Sequence, residues 1–170
     1  MTDITTSERH DLVETLRAHR QLLIGTSAGL TDDQAATRST VSELTIGGII
    51  KHVTATELQW ARFITDGPAA FGAADEAPDR PAWAAGFRMT GEDTLASLVD
   101  AYQACAAVTD ELASTVDLDS RHPLPVAPWF EPGSTRSAWR VLLHLVAETA
   151  QHAGHADIIR EAIDGAKSMG

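Results

Sequence analysis

Apolar residues recur at helical spacing along four stretches of the chain, with polar residues between them. Leu12, Val13, Leu16 and Leu23 form the stripe of a first helix that Ser7 caps, that reaches about Ala28 and that Gly29 ends. "TDDQ" at 31–34 has the spacing of a capping box, so a short helical turn follows it. Thr45 caps a second helix, "TIGGIIKHVTATELQWARFITDG", which ends near Gly67 and Pro68. A third begins at "TGED", 90–93, where two acids favour the positive helix start, and runs to about Ser114. The fourth starts near Ser134 or Thr135 and runs to Gly165, a natural C-terminal cap. No run alternates apolar and polar residues in the strand period. The pattern predicts an all-α fold, a four-helix bundle forming one domain over 1–170.

Two connections are longer than helix neighbours need. The stretch from Gly67 to Met89 is rich in Ala, Pro, Gly and acid, and the one from Thr115 to Gly133 holds four prolines. Such lengths mark functional loops or crossovers between helices that are not antiparallel neighbours. "HPLPVAPWFEPG" sets Trp129 and Phe130 between prolines, so this segment either roofs a pocket or is pinned to the bundle by its two aromatics.

A net charge of -11 argues against nucleic acid and anionic membrane surfaces, which call for a basic face. A small-molecule or protein partner is expected instead. The single cysteine, Cys105, lies in the helical run "AYQACAAV", so no internal disulfide forms and a reducing compartment fits. The N-terminus has no basic region followed by an apolar run, and no stretch approaches the roughly 18 apolar residues of a membrane span. A cytoplasmic location is expected.

The last helix carries the candidate chemistry. His144, Glu148, His152 and His155 fall within roughly an 80° sector, because steps of three and four residues return to one helix face. Val141, Leu145, Ile159 and Ala162 share that face, while Asp157, Arg160, Glu161 and Asp164 lie opposite. The titratable stripe therefore faces the core, where unpartnered polar groups cost several kcal/mol. A metal ion would satisfy them. Glu148 and His152, four residues apart, can place two donor atoms on one side of a cation. His52 shares a sector with Ile49 and Phe63 on the second helix, so it can supply a third donor across the interior. Three protein ligands leave a coordination position open, the catalytic pattern for zinc.

Each residue also has a plainer reading. His52 can be a hydrogen-bonded core histidine, and Glu148 can pair with Arg140 or Arg17. His155 can replace Glu148 as third ligand, but its expected part is catalytic, as proton carrier or as the group orienting a ligand. His144 reads as a satisfied histidine at the core or pocket edge. His10, His19 and His122 read as solvated, Trp60 and Trp139 as core, and Tyr102 as a possible hydroxyl donor to the pocket.

With "IIKHV" on the second helix and "LLHLVAETAQHAGHADIIREAIDG" on the last, the sequence resembles the DinB/YfiT-like superfamily. These four-helix metal-binding proteins include bacterial thiol transferases and the N-terminal domain of mycothiol-dependent maleylpyruvate isomerase. The resemblance covers nearly the whole chain. It implies a divalent metal, zinc or nickel, held by one histidine on the second helix and a pair four residues apart on the last, here His52, Glu148 and His152. Glutamate in place of the first late histidine is similar to the isomerase branch. That enzyme has a further C-terminal domain contributing to its active site, whereas this sequence stops at Gly170, so maleylpyruvate isomerisation itself is not expected.

What the resemblance implies more broadly is a metal that holds a low-molecular-weight thiol as thiolate, the nucleophilic form. The eleven Arg to two Lys and the frequent alanine suggest a GC-rich genome, hence an actinobacterial host and mycothiol as the thiol. The expected function is a metal-dependent enzyme adding that thiol to an electrophilic small molecule, as an S-transferase in detoxification or as a thiol-assisted isomerase. The alternative is a non-catalytic metal-binding or stress-response bundle, with a homodimer left open.

Overall fold

The computed structural model describes residues 4–72 and 84–168. Helix α1 spans Ile4–Gly25, α2 Asp32–Ala35, α3 Ile46–Asp66, α4 Leu95–Thr115 and α5 Ala138–Asp164. A 3-10 turn, Gly67–Phe71, extends α3. Two three-residue strands, β1 (Arg121–Pro123) and β2 (Thr135–Ser137), pair antiparallel. The expected all-α bundle is present, and among the described residues no helix is long and apolar enough to cross a membrane.

Ion pairs and ring contacts fix the helix directions. Lys51 pairs with Asp93 and the Cys105 thiol approaches the Thr54 carbonyl, so α3 and α4 run parallel. Arg160 of α5 donates to the carbonyls of Thr26 and Ala28 just beyond α1, so α1 and α5 run parallel too. His52 and Trp60 of α3 meet His152 and His144 of α5 in reverse order, which sets the two pairs antiparallel. The bundle is up, down, down, up. Parallel neighbours α3 and α4 need a long crossover, as the length of the 67–89 connection suggested; its middle, 73–83, lies outside the described residues.

Most helix limits follow local chemistry. Thr31 and Gln34 form the expected capping box of α2, and the Thr45 hydroxyl accepts from Gly48 N at the start of α3. Three expectations need correction. Ser7 lies inside α1, which ends at Gly25; residues 26–28 continue as turns before Gly29, at φ 74°. The third helix starts at Leu95 under Thr94, which forms a capping box with Ser97, because the Asp93 carboxylate is occupied by Thr90 and Lys51. The last helix starts at Ala138 under Ser137, because residues 135–137 are held extended by pairing with β1. A three-residue ribbon is too short to display strand alternation, so its sequence carried no signal.

The core divides in two. Leu23, Ile46, Ile49, Ile50, Val53, Leu98, Tyr102 and Ile159 pack at one end; Leu12, Leu16, Trp60, Phe63, Val141, Leu142 and Leu145 pack at the other. A buried polar layer separates them. Arg20 forms a fork with both carboxylate oxygens of Glu57 and reaches Asp110 Oδ1 at 2.7 Å, while Arg17 binds the other Asp110 oxygen. Arg20 and Glu57 are 4% and 1% exposed, a depth that ionised groups tolerate only when paired.

Candidate metal centre

Beside that polar layer, α3 and α5 bring three donors together. His52, Glu148 and His152 each offer one ligand atom, and these atoms lie within 4.8 Å of one another. His152 Nε2 is 3.7 Å from Glu148 Oε2, and the rings of His52 and His152 meet edge to face with centroids 5.0 Å apart. Donors about 2.1 Å from a shared tetrahedral ion stand roughly 3.4 Å apart, so the set needs only small side-chain shifts to close on one. The group could hold a metal ion.

Electrostatics favours this use. Burial first, then the neighbouring His152, pushes the His52 pKa down to about 4. Burial and the adjacent His155 lower that of His152 in the same way. Both rings are thus held neutral near pH 7, the form in which imidazole nitrogen has a lone pair for a cation. Glu148 supplies the one negative charge, and its side chain is 31% exposed, so the set opens to solvent on that side.

Sequence reasoning missed the wall behind His52. Phe87 stacks on that imidazole at 3.8 Å and 20°. It can do so because the start of α3 is Gly47-Gly48: a Cβ on Gly48 would stand 1.9 Å from the Phe87 carbonyl oxygen, and one on Gly47 2.2 Å from Met89 Sδ. Paired glycines in the first turn of a helix, where they cost stability, were the readable sign that another chain segment crosses there. Phe87 also borders a cavity of about 110 Å³ lined by Glu43, Leu44, Ala84 and Arg88.

The other candidates take distinct places. The ring of His155 lies 5.5 Å from that of His152, but its nitrogens are not among the three converging donors. Its Nδ1 is buried without a hydrogen-bond partner, as is Nδ1 of His152. His144 Nε2 stands 3.8 Å from Glu148 Oε1, so Glu148 is flanked by two histidines. Neither Arg140 nor Arg17 pairs with it; Arg17 binds Asp110. His122 is half-buried rather than solvated, with Nε2 3.1 Å from the Ile64 carbonyl. Trp60 is core, as expected, and Trp139 is half-buried against the same cluster. Phe130 packs there too, which pins the proline-rich connection, while Trp129 is exposed. Tyr102 is fully buried in the opposite cluster, where burial and the Glu57 charge push its hydroxyl well above its ordinary pKa. Burial, with Glu57 next, pushes the Cys105 thiol up to about 12, so this sulfur is no nucleophile.

The family model described as mycothiol-S-transferase matches residues 11–165, which takes in all three donors. The chain belongs to the mycothiol S-transferase family. This is a DinB/YfiT-like family, in line with the resemblance of the second and last helices. The fold of this family member is also that of the crystal structure of a conserved protein from Enterococcus faecalis. That protein has a TM-score of 0.64 and 18% identity, over 92% of this chain and 97% of its own. No curated protein matches the sequence.

Proposed function

We propose that the protein is a metal-dependent S-transferase in which His52, Glu148 and His152 hold a divalent ion, zinc or nickel, and the thiol is mycothiol. The convergence of a His, Glu, His set in a chain of this family carries the reading. Such an ion would supply one thing, stabilisation of the mycothiol sulfur as thiolate at neutral pH. In the transfer, the thiol gives up its proton, a carbon–sulfur bond forms to an electrophilic small molecule, and the electrophile releases its leaving group or, in an addition, takes up a proton. We assign His155 to the proton, since its buried Nδ1 has no competing partner and its ring borders His152. The Phe87 ring shields the other face of His52 and fixes its plane.

The alternative is an ion that only ties α3 to α5. Two features speak for the catalytic reading: Glu148 leaves one side of the set open, and His155 is not a fourth converging donor. The test uses tag-free protein. Elemental analysis should find about one divalent ion per chain, and the metal-loaded protein should consume mycothiol with monochlorobimane. His52→Ala and His152→Ala should lose both metal and activity. Full metal retention in both variants would overturn the assignment.

A further inference from the structure

Two arginines at the start of α5, two turns and more before the donors of that helix, have no acidic partner among the described residues. Arg136, the middle residue of β2, lays its guanidinium over the Trp60 ring at 4.7 Å and over Phe130 at 5.4 Å. Its Nη1 is buried without a hydrogen-bond partner. Arg140 stands in the first turn of α5, exposed, and close enough that its charge adds to burial in lowering the Arg136 pKa. The same Trp60 ring packs against His144, centroid to centroid at 5.0 Å, and His144 leads to Glu148. Arg140, His144, Glu148 and His152 follow every four residues along one helix, so Arg140 stands about 12 Å of helix rise from Glu148 and about 18 Å from His152.

A chain with 24 acids to 13 bases has ample carboxylate to neutralise two neighbouring guanidiniums, yet among the described residues none pairs with these. A buried, unsatisfied guanidinium nitrogen costs several kcal/mol unless an anion meets it. Planar forks match carboxylates in particular. Mycothiol, an amide of N-acetylcysteine with a sugar, has no carboxylate to place there.

We propose that Arg136 and Arg140 bind the carboxylate of the electrophilic substrate, so that the enzyme acts on anionic electrophiles. This rests on the S-transferase reading above for the identity of the bound molecule as electrophile.

The probes are 4-chloro-3-nitrobenzoate and its neutral amide, 4-chloro-3-nitrobenzamide. With either, the mycothiol sulfur bonds to the ring carbon, the carbon–chlorine bond breaks, chloride leaves and the thiol proton passes to base. Calorimetric titration of the full chain, metal-free and metal-loaded, measures binding separately from turnover. The benzoate should bind about tenfold more tightly than the amide, the worth of one charge-assisted pair. Arg140→Gln and Arg136→Gln should each cut that preference to threefold or less; should Arg136→Gln fail to fold, the exposed Arg140 carries the test. Equal binding of the two probes by the wild type, or a preference that survives in Arg140→Gln, overturns the subsite. Anion preference without turnover of either probe counts against the transferase reading alone, and turnover without preference counts against the subsite alone.

Discussion

The imidazole of His52 on α3 meets that of His152 on α5 edge to face, with centroids 5.0 Å apart, and the two residues are 100 apart in sequence. An ion bound between them would cross-link two antiparallel helices in the folded state alone. Removing it should therefore lower the melting temperature. At metal a hundredfold above its Kd the stabilisation is about 2.7 kcal/mol. For a chain of this size that is a fall of roughly 5–10 °C on chelation. Thermal scans before and after verified metal removal check it, and an unchanged midpoint would deny the bridge.

Glu57 should be among the most sensitive positions outside the donor set. Glu57→Leu strands Arg20, 4% exposed, without its main partner, and should cost about 3–5 kcal/mol. The double variant Arg20→Leu, Glu57→Leu should recover much of that loss, because no buried charge is then left alone. Urea unfolding of the three proteins gives the values. A double variant that loses as much as the two singles combined would mean that the layer acts through packing instead.

Much of this was legible in the sequence, and the limits are physical. Helices α3 and α5 and the stripe of His144, Glu148, His152 and His155 follow from spacing within one helix, which sequence displays directly. The Arg20, Glu57 and Asp110 layer joins residues 37 and 90 apart on three helices, and no periodicity links them. Phe87 was missed for a similar reason, since it lies in a connection and reaches His52 only through the gap left by Gly48. The β1–β2 ribbon, set by pairing rather than propensity, displaced the start of α5 from Ser134 or Thr135 to Ala138.

Two glycine substitutions should move in opposite directions. Gly48→Ala drives a methyl group into the Phe87 backbone and should destabilise by about 1–3 kcal/mol while disturbing the ring stacked on His52. Gly154→Ala, in the interior of α5 with nothing within 4 Å of a Cβ, should stabilise by about 0.5–1 kcal/mol. Denaturation midpoints of both variants decide. A neutral Gly48→Ala would mean that the Phe87 backbone does not cross within contact distance of Gly48.

Acid should weaken the metal-free protein through His52. Its pKa is about 4 in the fold against an ordinary 6.5, so between these values the unfolded chain binds a proton that the native state refuses. Stability is then full above about pH 6.5 and declines as pH falls towards about 4, where the effect levels off. The lowered values of His152 and His144 act in the same sense. Urea midpoints of metal-free wild type and His52→Gln across this range isolate the contribution, since both share the remaining carboxylates. A shallower slope in His52→Gln is expected, and identical slopes would contradict the neutral, half-buried ring.

The most direct measurement is the absorption spectrum of the cobalt(II)-substituted protein titrated with mycothiol. A thiolate joining His52, Glu148 and His152 should produce an intense near-ultraviolet sulfur-to-cobalt band that saturates at one thiol per chain and is absent in His52→Ala. If cobalt binds at one per chain and its spectrum is unchanged by mycothiol at any concentration, the ion does not receive the thiol, and the proposed transferase chemistry is wrong.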